Sequence, residues 1–452
     1  MNKGLITILG AGESGKGAAL LASARGYRVF VSDHKVIDAA TKSLFVENGI
    51  GFEENGHTES TILSSTEVIK SPGIPEGVQV VQRLKDAGVP IIDELEFASR
   101  YTSAKLITVT GTNGKTTTTR LIEHLLTACG INALAVGNIG NSLAGSLALQ
   151  GDRDVFVIEA SSFQIDGFKE IRPDVSVILN ITPDHLDRYG SMKAYAASKL
   201  RLADMTTGAV VYFADDQMIA NSLDSQQLKA LKMKVSLSEK KGMNGWVFEN
   251  AINTIFGGQE LQVSFEDMNI KGLHNMVNAM SAVLAVNFLG VDQNKIKEGI
   301  TSFRGMPHRF EFVATINGVD YINDSKATNV DAVKYALDAL DRPLVWIAGG
   351  IDKGNDYKGV MSLVNEKVKA LICLGKDNVK LRDAFHEEIL SILETTSMED
   401  AVQKSSDLAQ WNDVVLLSPA CASFDLFQNY EDRGNQFKNA VMKLKEKRIL
   451  VL

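Results

Sequence analysis

A glycine-rich stretch, TGTNGKTTT at residues 110–118, follows an apolar run, KLITV, that predicts a buried strand. A phosphate-binding loop of the form G-x-x-x-x-G-K-[ST] would need glycine at position 109, where the chain has Val109. The shorter form keeps the chemistry, because glycine N–H groups can converge on anionic oxygens, the Lys115 amine adds positive charge and the Thr116 hydroxyl can bind magnesium. The stretch is interpreted as a phosphate-binding loop, with an ordinary glycine turn before a helix as the alternative.

Three side chains downstream of this loop have types that could hold a cation. Glu159 ends the predicted strand VFVIE, and the stretch NITPDHLDRYGSMKAYAASKL supplies His185 and Lys199. Carboxylates at strand ends beside a phosphate loop suit magnesium, which prefers oxygen donors. A protonated lysine repels a cation, so Lys199 either becomes an anion, for example by carbamylation with carbon dioxide, or pairs with an acid. For Glu159 and His185, helix capping and surface exposure are the alternatives.

A second glycine cluster, LGAGESGKG, lies near the start of the chain. It places Gly10, Gly12 and Gly15 between a predicted strand and a predicted helix, with Asp33 at the end of the next strand. This spacing is typical of a dinucleotide-binding turn, in which the acidic residue holds a ribose. The same geometry serves any nucleotide diphosphate at a helix N-terminus, and a tight turn that needs glycine remains the structural alternative.

The last third of the chain carries polar residues wherever a predicted strand passes into a loop. At such edges of open α/β sheets, ligands bind. Ordinary turn chemistry is the alternative for each loop. Cys421 is interpreted as a small buried packing residue, since no G-x-S-x-G pattern accompanies it. The polar residues are His308, Arg309, Asp324, Lys326, Thr328, Lys353, Ser423 and Tyr430.

These residues must be positioned by alternating strands and helices. Short apolar runs separated by helical segments recur along the chain and predict parallel sheets covered on both faces. Three such α/β blocks predict three domains, at residues 1–93, 94–303 and 304–452, with FRGMPHRFE at 303–311 as the linker between the last two. Within the central block, residues 241–271 resemble short antiparallel strands, and NMVNAMSAVLAVNFLG predicts an amphipathic helix.

Composition bounds the function classes. The 452 residues have 45% hydrophobic and 23% charged content, as expected of a globular enzyme. A formal net charge of -8 without a basic block argues against nucleic-acid binding. Three widely spaced cysteines argue for a reducing compartment and against a thiolate zinc site. No run of eighteen apolar residues occurs, so a cytoplasmic protein without a membrane span is expected.

Several motifs together resemble one known family. The stretches GTNGKTT, EASSFQ, NITPDHLDRY, GLHNMVNA, PHRFE and NDSKATN occur in the order found in the Mur ligases, the ATP-dependent amide-forming enzymes of bacterial peptidoglycan synthesis. The stretches SPGI, GNIG, SSFQ and LLSPACASFDLFQNYEDRG are most similar to the members that add D-glutamate. The resemblance runs from Gly10 to Gly434, nearly the whole chain.

The resemblance implies a fold and a reaction. The fold has an N-terminal Rossmann-like domain for a UDP-sugar, a central P-loop-type ATPase domain with a mainly parallel sheet, and a C-terminal Rossmann-like domain for the incoming amino acid. In the implied reaction, ATP phosphorylates the carboxylate of UDP-N-acetylmuramoyl-L-alanine, the amine of D-glutamate attacks the acyl phosphate, and a tetrahedral intermediate collapses to the amide. The expected partners are therefore small molecules, and the chain is expected to act as a monomer.

The resemblance also implies roles for individual residues. The catalytic residues would be Lys115, His185 and Lys199. Two magnesium ions would be held by Thr116, Glu159, His185 and a carbamylated Lys199. The ATP-binding residues would be Gly111, Thr112, Asn113, Gly114, Lys115, Thr116, Thr117, Asn275, Arg309 and Asp324. The UDP-sugar-binding residues would be Ser14, Asp33, Ser71, Asn138 and Ser161. The D-glutamate-binding residues would be His185, Thr328, Lys353, Ser423 and Tyr430.

Some positions depart from the family pattern. Glu13 puts a negative charge beside the expected diphosphate, Asp352 could neutralise Lys353, and Tyr430 stands where phenylalanine is often found. Three alternatives remain open: a related ligase for another amino acid or a folylpolyglutamate synthetase, a nicotinamide-dependent oxidoreductase built on GAGESG, and a non-catalytic nucleotide-binding module. The D-N-P-R pattern expected of the diamino-acid ligases is missing.

Overall fold

The computed structural model describes residues 3–238, 241–270, 272–352 and 354–449. The chain forms three sheets covered by helices and divides into two compact units. Unit 1 comprises Met1–Asn269 and Asn275–Phe303, and unit 2 comprises Ile270–His274 and Arg304–Leu452. Among the described residues, no helix combines the length and the apolar character needed to cross a membrane.

The first sheet has five strands, all parallel, in the order β3-β2-β1-β4-β5. The strand order reverses between β1 and β4, and a parallel sheet with such a reversal is a Rossmann-like arrangement, as predicted. Its elements are β1 (Lys3–Leu9), α1 (Glu13–Ala24), β2 (Tyr27–Ser32), α2 (Ala39–Glu47), β3 (Gly51–Glu53), α3 (Glu59–Leu63), β4 (Glu67–Lys70), α4 (Gln79–Asp86), β5 (Ile91–Ile92) and α5 (Glu94–Ser99).

The central sheet has nine strands in the order β14-β13-β12-β11-β10-β9-β6-β8-β7. Its strands are parallel from β7 to β12, and two antiparallel pairs add β13 and β14 at one edge. Its elements are β6 (Lys105–Thr110), α6 (Lys115–Ala128), β7 (Ala133–Gly137), α7 (Leu143–Gln150), β8 (Val155–Glu159), α8 (Ser162–Asp166), β9 (Val175–Ile178), α9 (Leu186–Tyr189), α10 (Met192–Met205), β10 (Ala209–Phe213), α11 (Gln217–Ser225), β11 (Leu231–Ser236), β12 (Gly245–Phe248), β13 (Ala251–Phe256), β14 (Gln259–Ser264), α12 (Leu273–Asn287) and α13 (Gln293–Ser302).

Helix α12 differs from the predicted amphipathic helix. Every residue from Asn275 to Asn287 is buried. The helix is covered on more than one side, because Met280 packs against Gly245 of β12 and Asn278 lies against Gly114 of the glycine-rich loop. A surface helix keeps a polar face toward water, whereas here the asparagines point into the protein.

The first and central sheets share one core in unit 1. Helices α1 and α7 approach closely at Gly17, where an added Cβ would lie 2.6 Å from the backbone nitrogen of Gly145. A larger residue would force the two helices apart. Buried residues of both sheets, including Ile8 of β1 and Ile158 of β8, belong to the same hydrophobic cluster.

The third sheet lies in unit 2 and has the order β15-β16-β20-β17-β18-β19. The β15–β16 pair is antiparallel and the other pairs are parallel. Apolar clusters cover both of its faces. Its elements are β15 (Glu311–Ile316), β16 (Val319–Asn323), α14 (Val330–Asp338), β17 (Leu344–Ala348), a 3-10 turn (Tyr357–Val360), α15 (Met361–Lys367), β18 (Val368–Leu374), α16 (Val379–Phe385), β19 (Ser391–Thr395), α17 (Met398–Leu408), β20 (Val414–Leu417) and α18 (Tyr430–Ile449).

The predicted three-block α/β architecture with a mainly parallel central sheet is confirmed. The exact boundaries at residues 93 and 303 stay predictions.

Candidate active site

The glycine-rich loop joins the end of β6 to the start of α6. Gly114 is the N-cap of α6 and has a φ of +83°, and Gly111 has a φ of +150°, two conformations that glycine adopts without strain. A side chain at Gly114 would also meet Asn278, since an added Cβ would lie 2.5 Å from the Asn278 Oδ1. The loop therefore needs both glycines, and the N–H groups of the first turn of α6 point toward the end of β6, where an anion can bind.

Two lysine amines converge on one carbonyl oxygen of this loop. Lys115 Nζ donates to the carbonyl oxygens of Gly111 at 2.9 Å and Thr112 at 2.8 Å. Lys199 Nζ, from α10, donates to the same Gly111 oxygen at 2.9 Å. Thr116 and Thr117 follow Lys115 in the first turn of α6 and are buried. The structure thus brings together the loop, the catalytic lysine predicted within it and the predicted Lys199.

The loop is held by Asn180, a residue that was not among the predicted site residues. The Thr112 N–H donates to the Asn180 carbonyl at 2.8 Å, and the Asn113 N–H donates to Asn180 Oδ1 at 2.8 Å. In return Asn180 Nδ2 donates to the Asn113 carbonyl at 3.1 Å. Asn180 follows β9, the strand next to β6, and it opens the stretch NITPDHLDRY. Its position at a strand end was the signal available for finding it.

Lys199 is buried, with 2% of its surface exposed. Burial and then the charge of Lys115 lower the pKa of Lys199 to about 7, although acidic neighbours such as Asp184 oppose the shift. Its amine also lies 4.8 Å from the ring centroid of Tyr195. Burial raises the pKa of Tyr195 to about 12, so this ring stays neutral. A substantial share of the Lys199 amine is therefore neutral near pH 7.

Glu159 ends β8 beside the loop and is buried. Its Oε1 accepts a hydrogen bond from Asn138 Nδ2 at 2.9 Å, whereas its buried Oε2 has no hydrogen-bond partner. A buried carboxylate oxygen without a donor is costly unless a cation binds it. Within the described ranges, no three His, Cys, Asp or Glu side chains form a metal cluster. The free Oε2 of Glu159 and the buried hydroxyl-bearing Thr116 nevertheless fit a magnesium ion that keeps water and phosphate ligands.

His185 caps α9 and is half-exposed. It adopts a φ of +51°, an uncommon conformation for a residue other than glycine. Its ring centroid lies 4.9 Å from that of Phe163, and its Nε2 lies 3.4 Å from Asp184 Oδ2. Strained backbone of this kind often occurs at functional sites, where surrounding structure holds it.

The residues predicted for the UDP-sugar lie at two sheet edges of unit 1. Ser14, Asp33 and Ser71 follow β1, β2 and β4, which are neighbours in the first sheet. Asp33 Oδ2 accepts from the Ala11 N–H at 2.7 Å and so closes the glycine turn. The buried Ser71 hydroxyl has no hydrogen-bond partner and lies against Gly10.

The other two predicted UDP-sugar residues follow β7 and β8 of the central sheet. Asn138 binds Glu159, as described above, and Ser161 caps α8 in a capping box with Gln164. Glu13, the charge that departs from the family pattern, is exposed and lies 3.2 Å from Lys16, so a cation partly offsets it. Asn275 of α12 accepts a hydrogen bond from Asn278 and thereby lies near the glycine loop.

In unit 2, Asp324 follows β16 and is buried. Ser418 Oγ donates to its Oδ2 at 2.9 Å, and the Phe310 N–H donates to its Oδ1 at 3.1 Å. Burial raises the pKa of Asp324 to about 7, although these bonds and the charge of Arg309 favour ionisation. Ser418, which was not among the predicted site residues, serves as a hydrogen-bond donor to Asp324.

Three residues predicted for D-glutamate lie at the carboxyl edge of the third sheet. Thr328 follows β16, the buried Ser423 follows the neighbouring β20, and Tyr430 begins α18. The Tyr430 hydroxyl accepts from Lys326 Nζ at 2.9 Å. Lys353 lies outside the described residues.

Asp352, the residue before Lys353, is bound by two other side chains. Its Oδ1 accepts from Lys380 Nζ at 2.8 Å, and its Oδ2 accepts from the Tyr357 hydroxyl at 2.9 Å. Burial alone would raise the pKa of Asp352, but the bonds from Lys380 and Tyr357 outweigh it and lower the pKa. The carboxylate is engaged by one residue of α16 and one of the 3-10 turn, and its neutralisation of Lys353 stays a prediction.

Family models match most of the chain. The MurD N-terminal domain matches residues 5–80, the Mur ligase middle domain residues 109–286, and the Mur ligase glutamate ligase domain residues 308–421.

Individual relatives extend the match over nearly the full length. The UDP-N-acetylmuramoylalanine--D-glutamate ligase of Christiangramia forsetii is 46% identical over 443 residues, which cover 97% of this chain and 99% of the relative. A pseudomurein peptide ligase type C from Methanothermus fervidus shares the fold, with a TM-score of 0.62, 20% identity, and coverage of 98% of this chain and 100% of that one. The MurF ligase from Thermotoga maritima in complex with ADP has a TM-score of 0.61 at 16% identity, covering 93% and 96% of the two chains.

Proposed function

The chain belongs to the Mur ligase family, and from that premise we propose that it joins D-glutamate to UDP-N-acetylmuramoyl-L-alanine with the hydrolysis of ATP to ADP and phosphate. The observation that carries the proposal is 46% identity, over 97% of the chain, to a relative named for this reaction. The two lysines on the glycine-rich loop and the unpartnered oxygen of Glu159 support it, since phosphoryl transfer needs fixed positive charge and a cation site.

The chemistry explains why ATP is needed. A carboxylate is a poor electrophile, because expelling oxide is unfavourable. Transfer of the γ-phosphoryl group to a carboxylate oxygen gives an acyl phosphate, and the D-glutamate amine then attacks its carbonyl carbon. The tetrahedral intermediate loses a proton from nitrogen and expels phosphate, which leaves the amide.

We assign the ATP phosphates to the glycine-rich loop. Lys115 donates to the loop carbonyls of Gly111 and Thr112, and phosphate oxygens would be stronger acceptors for the same amine. Swinging from neutral carbonyls to an anion needs only side-chain rotation. The N–H groups at the start of α6 would stabilise the charge that spreads over the transferred group.

We propose that Thr116 and Glu159 bind one magnesium ion, and that His185 and a carbamylated Lys199 help to hold a second. Bound magnesium would neutralise the repulsion between the substrate carboxylate and the γ-phosphate. Carbamylation joins the neutral Lys199 amine to carbon dioxide and releases a proton. The pKa of Lys199, lowered to about 7 chiefly by burial, makes that neutral amine available.

We also propose which residues contact the three substrates. The UDP-sugar would be contacted by Ser14, Asp33, Ser71, Asn138 and Ser161. The nucleotide would also be contacted by Asn275, Arg309 and Asp324. The D-glutamate would be contacted by His185, Thr328, Lys353, Ser423 and Tyr430. Since both substrates of the first step are nucleotides, we further propose a cytoplasmic enzyme, and we expect a monomer in sedimentation experiments.

The deciding experiment is mass-resolved product analysis with UDP-N-acetylmuramoyl-L-alanine, ATP and D-glutamate. We expect one new amide product, with ADP and phosphate formed in equal amounts. Reactions with L-alanine, L-lysine, meso-diaminopimelate or D-alanyl-D-alanine in place of D-glutamate serve as controls. Turnover of L-lysine without turnover of D-glutamate would exclude the proposed specificity. NADH-linked activity without ADP formation would favour the oxidoreductase alternative.

The lysine modification has its own test. Incubation with ¹³C-bicarbonate should give a carbamate carbonyl signal in ¹³C NMR of the wild-type enzyme, and the Lys199→Met variant should lack it. The same signal in both proteins would place the modification elsewhere.

A further inference from the structure

A buried arginine links the loops at the carboxyl edge of the third sheet. Arg433 lies in the first turn of α18, and 1% of its surface is exposed. Its Nε donates to Ser325 Oγ at 3.0 Å, and its Nη2 donates to the Ser325 carbonyl at 2.8 Å. Its Nη1 donates to the Cys421 carbonyl at 3.1 Å and reaches the Gly349 carbonyl at 3.5 Å. One guanidinium thus binds three separate loops.

Those loops follow three neighbouring strands. Ser325 follows β16, Gly349 follows β17 and Cys421 follows β20, and the sheet order places β20 between β16 and β17. Ligands bind where parallel strands end in loops. Arg433 therefore links the loops along the sheet edge at which the D-glutamate-binding residues were predicted.

The proposed amino-acid contacts lie a few positions along from the groups that Arg433 binds. Thr328 is three residues after Ser325, and Ser423 is two residues after Cys421. The Ser325 hydroxyl also donates to the Tyr430 carbonyl at 2.8 Å, which joins the start of α18 to the same network. A shift of Arg433 would move these loops relative to one another.

The charge of Arg433 is not cancelled by a direct ion pair. Its acceptors are carbonyl and hydroxyl oxygens, and among the described side chains no carboxylate forms a salt bridge with it. Burial lowers the pKa of Arg433 to about 10, which leaves the guanidinium charged at neutral pH. A buried cation whose direct acceptors are neutral adds positive potential to this edge, although the charge of Asp425 opposes it, and a positive potential favours an anionic ligand.

We propose that Arg433 is a positioning residue for the incoming amino acid: it fixes the loops after β16, β17 and β20 in one arrangement, and its charge favours a dicarboxylate. This inference rests on the proposed function. Arginine suits the role because its planar fork directs several N–H groups at once, whereas a lysine ammonium is a single point charge on a flexible stem.

The test is steady-state kinetics of Arg433→Lys and Arg433→Met in the full-length enzyme. Arg448, an exposed arginine on the same helix, supplies the matched controls Arg448→Lys and Arg448→Met. Initial rates are measured against D-glutamate at saturating UDP-N-acetylmuramoyl-L-alanine and ATP, and then against the UDP-sugar at saturating D-glutamate. Thermal unfolding of each variant measures the structural effect separately.

We expect the KM for D-glutamate to rise about tenfold or more in Arg433→Lys, the size typical of losing a hydrogen bond to a charged group. The KM for the UDP-sugar should stay within about twofold, since its proposed contacts lie in unit 1. Arg433→Met should raise the KM for D-glutamate further, because it also removes the charge. The Arg448 variants should match the wild type in both constants.

Two results would overturn the inference. One is an unchanged KM for D-glutamate in Arg433→Lys, and the other is an equal rise in both KM values, which a general loosening of the folded enzyme would give. A smaller fraction of folded protein would lower the apparent kcat and leave both KM values unchanged. If Arg433→Met does not fold, Arg433→Lys alone decides between these outcomes. Failure of the wild type to use D-glutamate would instead reject the proposed function, so the two failures are distinguishable.

Discussion

The phosphate-loop edge of the central sheet and the carboxyl edge of the third sheet both gather charged side chains where strands end, but they satisfy those charges differently. At the central edge, Lys115 and Lys199 share the carbonyl of Gly111, and Glu159 Oε2 has no hydrogen-bond partner. At the edge of the third sheet, Asp324 accepts two hydrogen bonds and Arg433 donates to three loops.

The difference indicates two kinds of site. The charges of the central edge make weak contacts that stronger, charged ligands can replace, as expected where phosphate and a cation bind and leave in each cycle. At the edge of the third sheet, Asp324 and Arg433 already have hydrogen-bond partners within the protein, as expected of a rigid receptor whose loops must be placed before an amino acid binds. Substitutions at the two edges should therefore have different signatures.

The largest effect is expected for Lys115→Ala. Removing the amine that would hold the phosphates should reduce ADP formation by about 10³-fold, the loss typical of a group that stabilises transition-state charge. The measurement is coupled ADP release, with circular dichroism to confirm folding. Lys105→Ala changes an exposed lysine at the opposite end of β6 and should retain full activity. Substantial ADP formation by Lys115→Ala would contradict the proposal that the central edge binds the ATP phosphates.

The next effect is expected for Glu159→Gln. The amide can keep the hydrogen-bonded position beside Asn138 but loses the charge that would bind the cation. Activity should fall about a hundredfold at a fixed magnesium concentration and recover in part as magnesium is raised. Magnesium titration of the rate is the measurement, with the exposed Glu170→Gln as the control. A magnesium dependence equal to that of the wild type would remove Glu159 from the proposed cation site.

The edge of the third sheet should show a pH signature in its stability. Since burial raises the pKa of Asp324 from 3.8 to about 7, the folded state holds a proton that the unfolded state releases between those values. The contribution of Asp324 to stability therefore falls as pH rises from 4 to 7. In Asp324→Asn this fall should disappear, so the variant should gain about 2 kcal/mol relative to the wild type between pH 5 and pH 7.

Urea unfolding at a series of pH values measures this difference, and Asp383→Asn, an exposed carboxylate in the same unit, is the control. A pH dependence that is identical in Asp324→Asn and the wild type would mean that Asp324 is already ionised. The two edges would then differ less in character.

The central edge could be predicted further from sequence than the edge of the third sheet. Glycine spacing, one lysine and a strand-end glutamate carry their chemistry in local order, so the loop, Glu159 and Lys199 could be identified as candidates, and the structure brings them together. Asn180 was not identified, because its bonds to the loop span 67 residues of sequence. The role of an asparagine after a strand depends on which strand lies beside it.

The role of Arg433 could not be predicted from the sequence, and the reason is stronger than for Asn180. In NYEDRGNQF it reads as one charge among several at the start of an exposed helix, and a lone arginine there is usually solvated. Its burial depends on loops up to 108 residues away that supply carbonyl acceptors. The predicted amphipathicity of α12 was wrong for a related reason: periodicity reports one buried face, and only tertiary packing shows that Asn278 faces the glycine loop.

The smallest effect is expected at Tyr430. Its hydroxyl accepts from Lys326, whose amine also lies 4.5 Å from the centroid of the same ring. Tyr430→Phe removes one hydrogen bond but keeps the ring, so Lys326 retains its cation–π contact. If this edge is a preformed receptor whose loops are fixed by Arg433, the KM for D-glutamate should rise by no more than about threefold. Tyr430→Ala, which removes the ring as well, should raise it more. An effect of Tyr430→Phe as large as that of Arg433→Lys would show that the hydroxyl itself binds the amino acid, and that the rigidity of this edge had been assigned to the wrong residue.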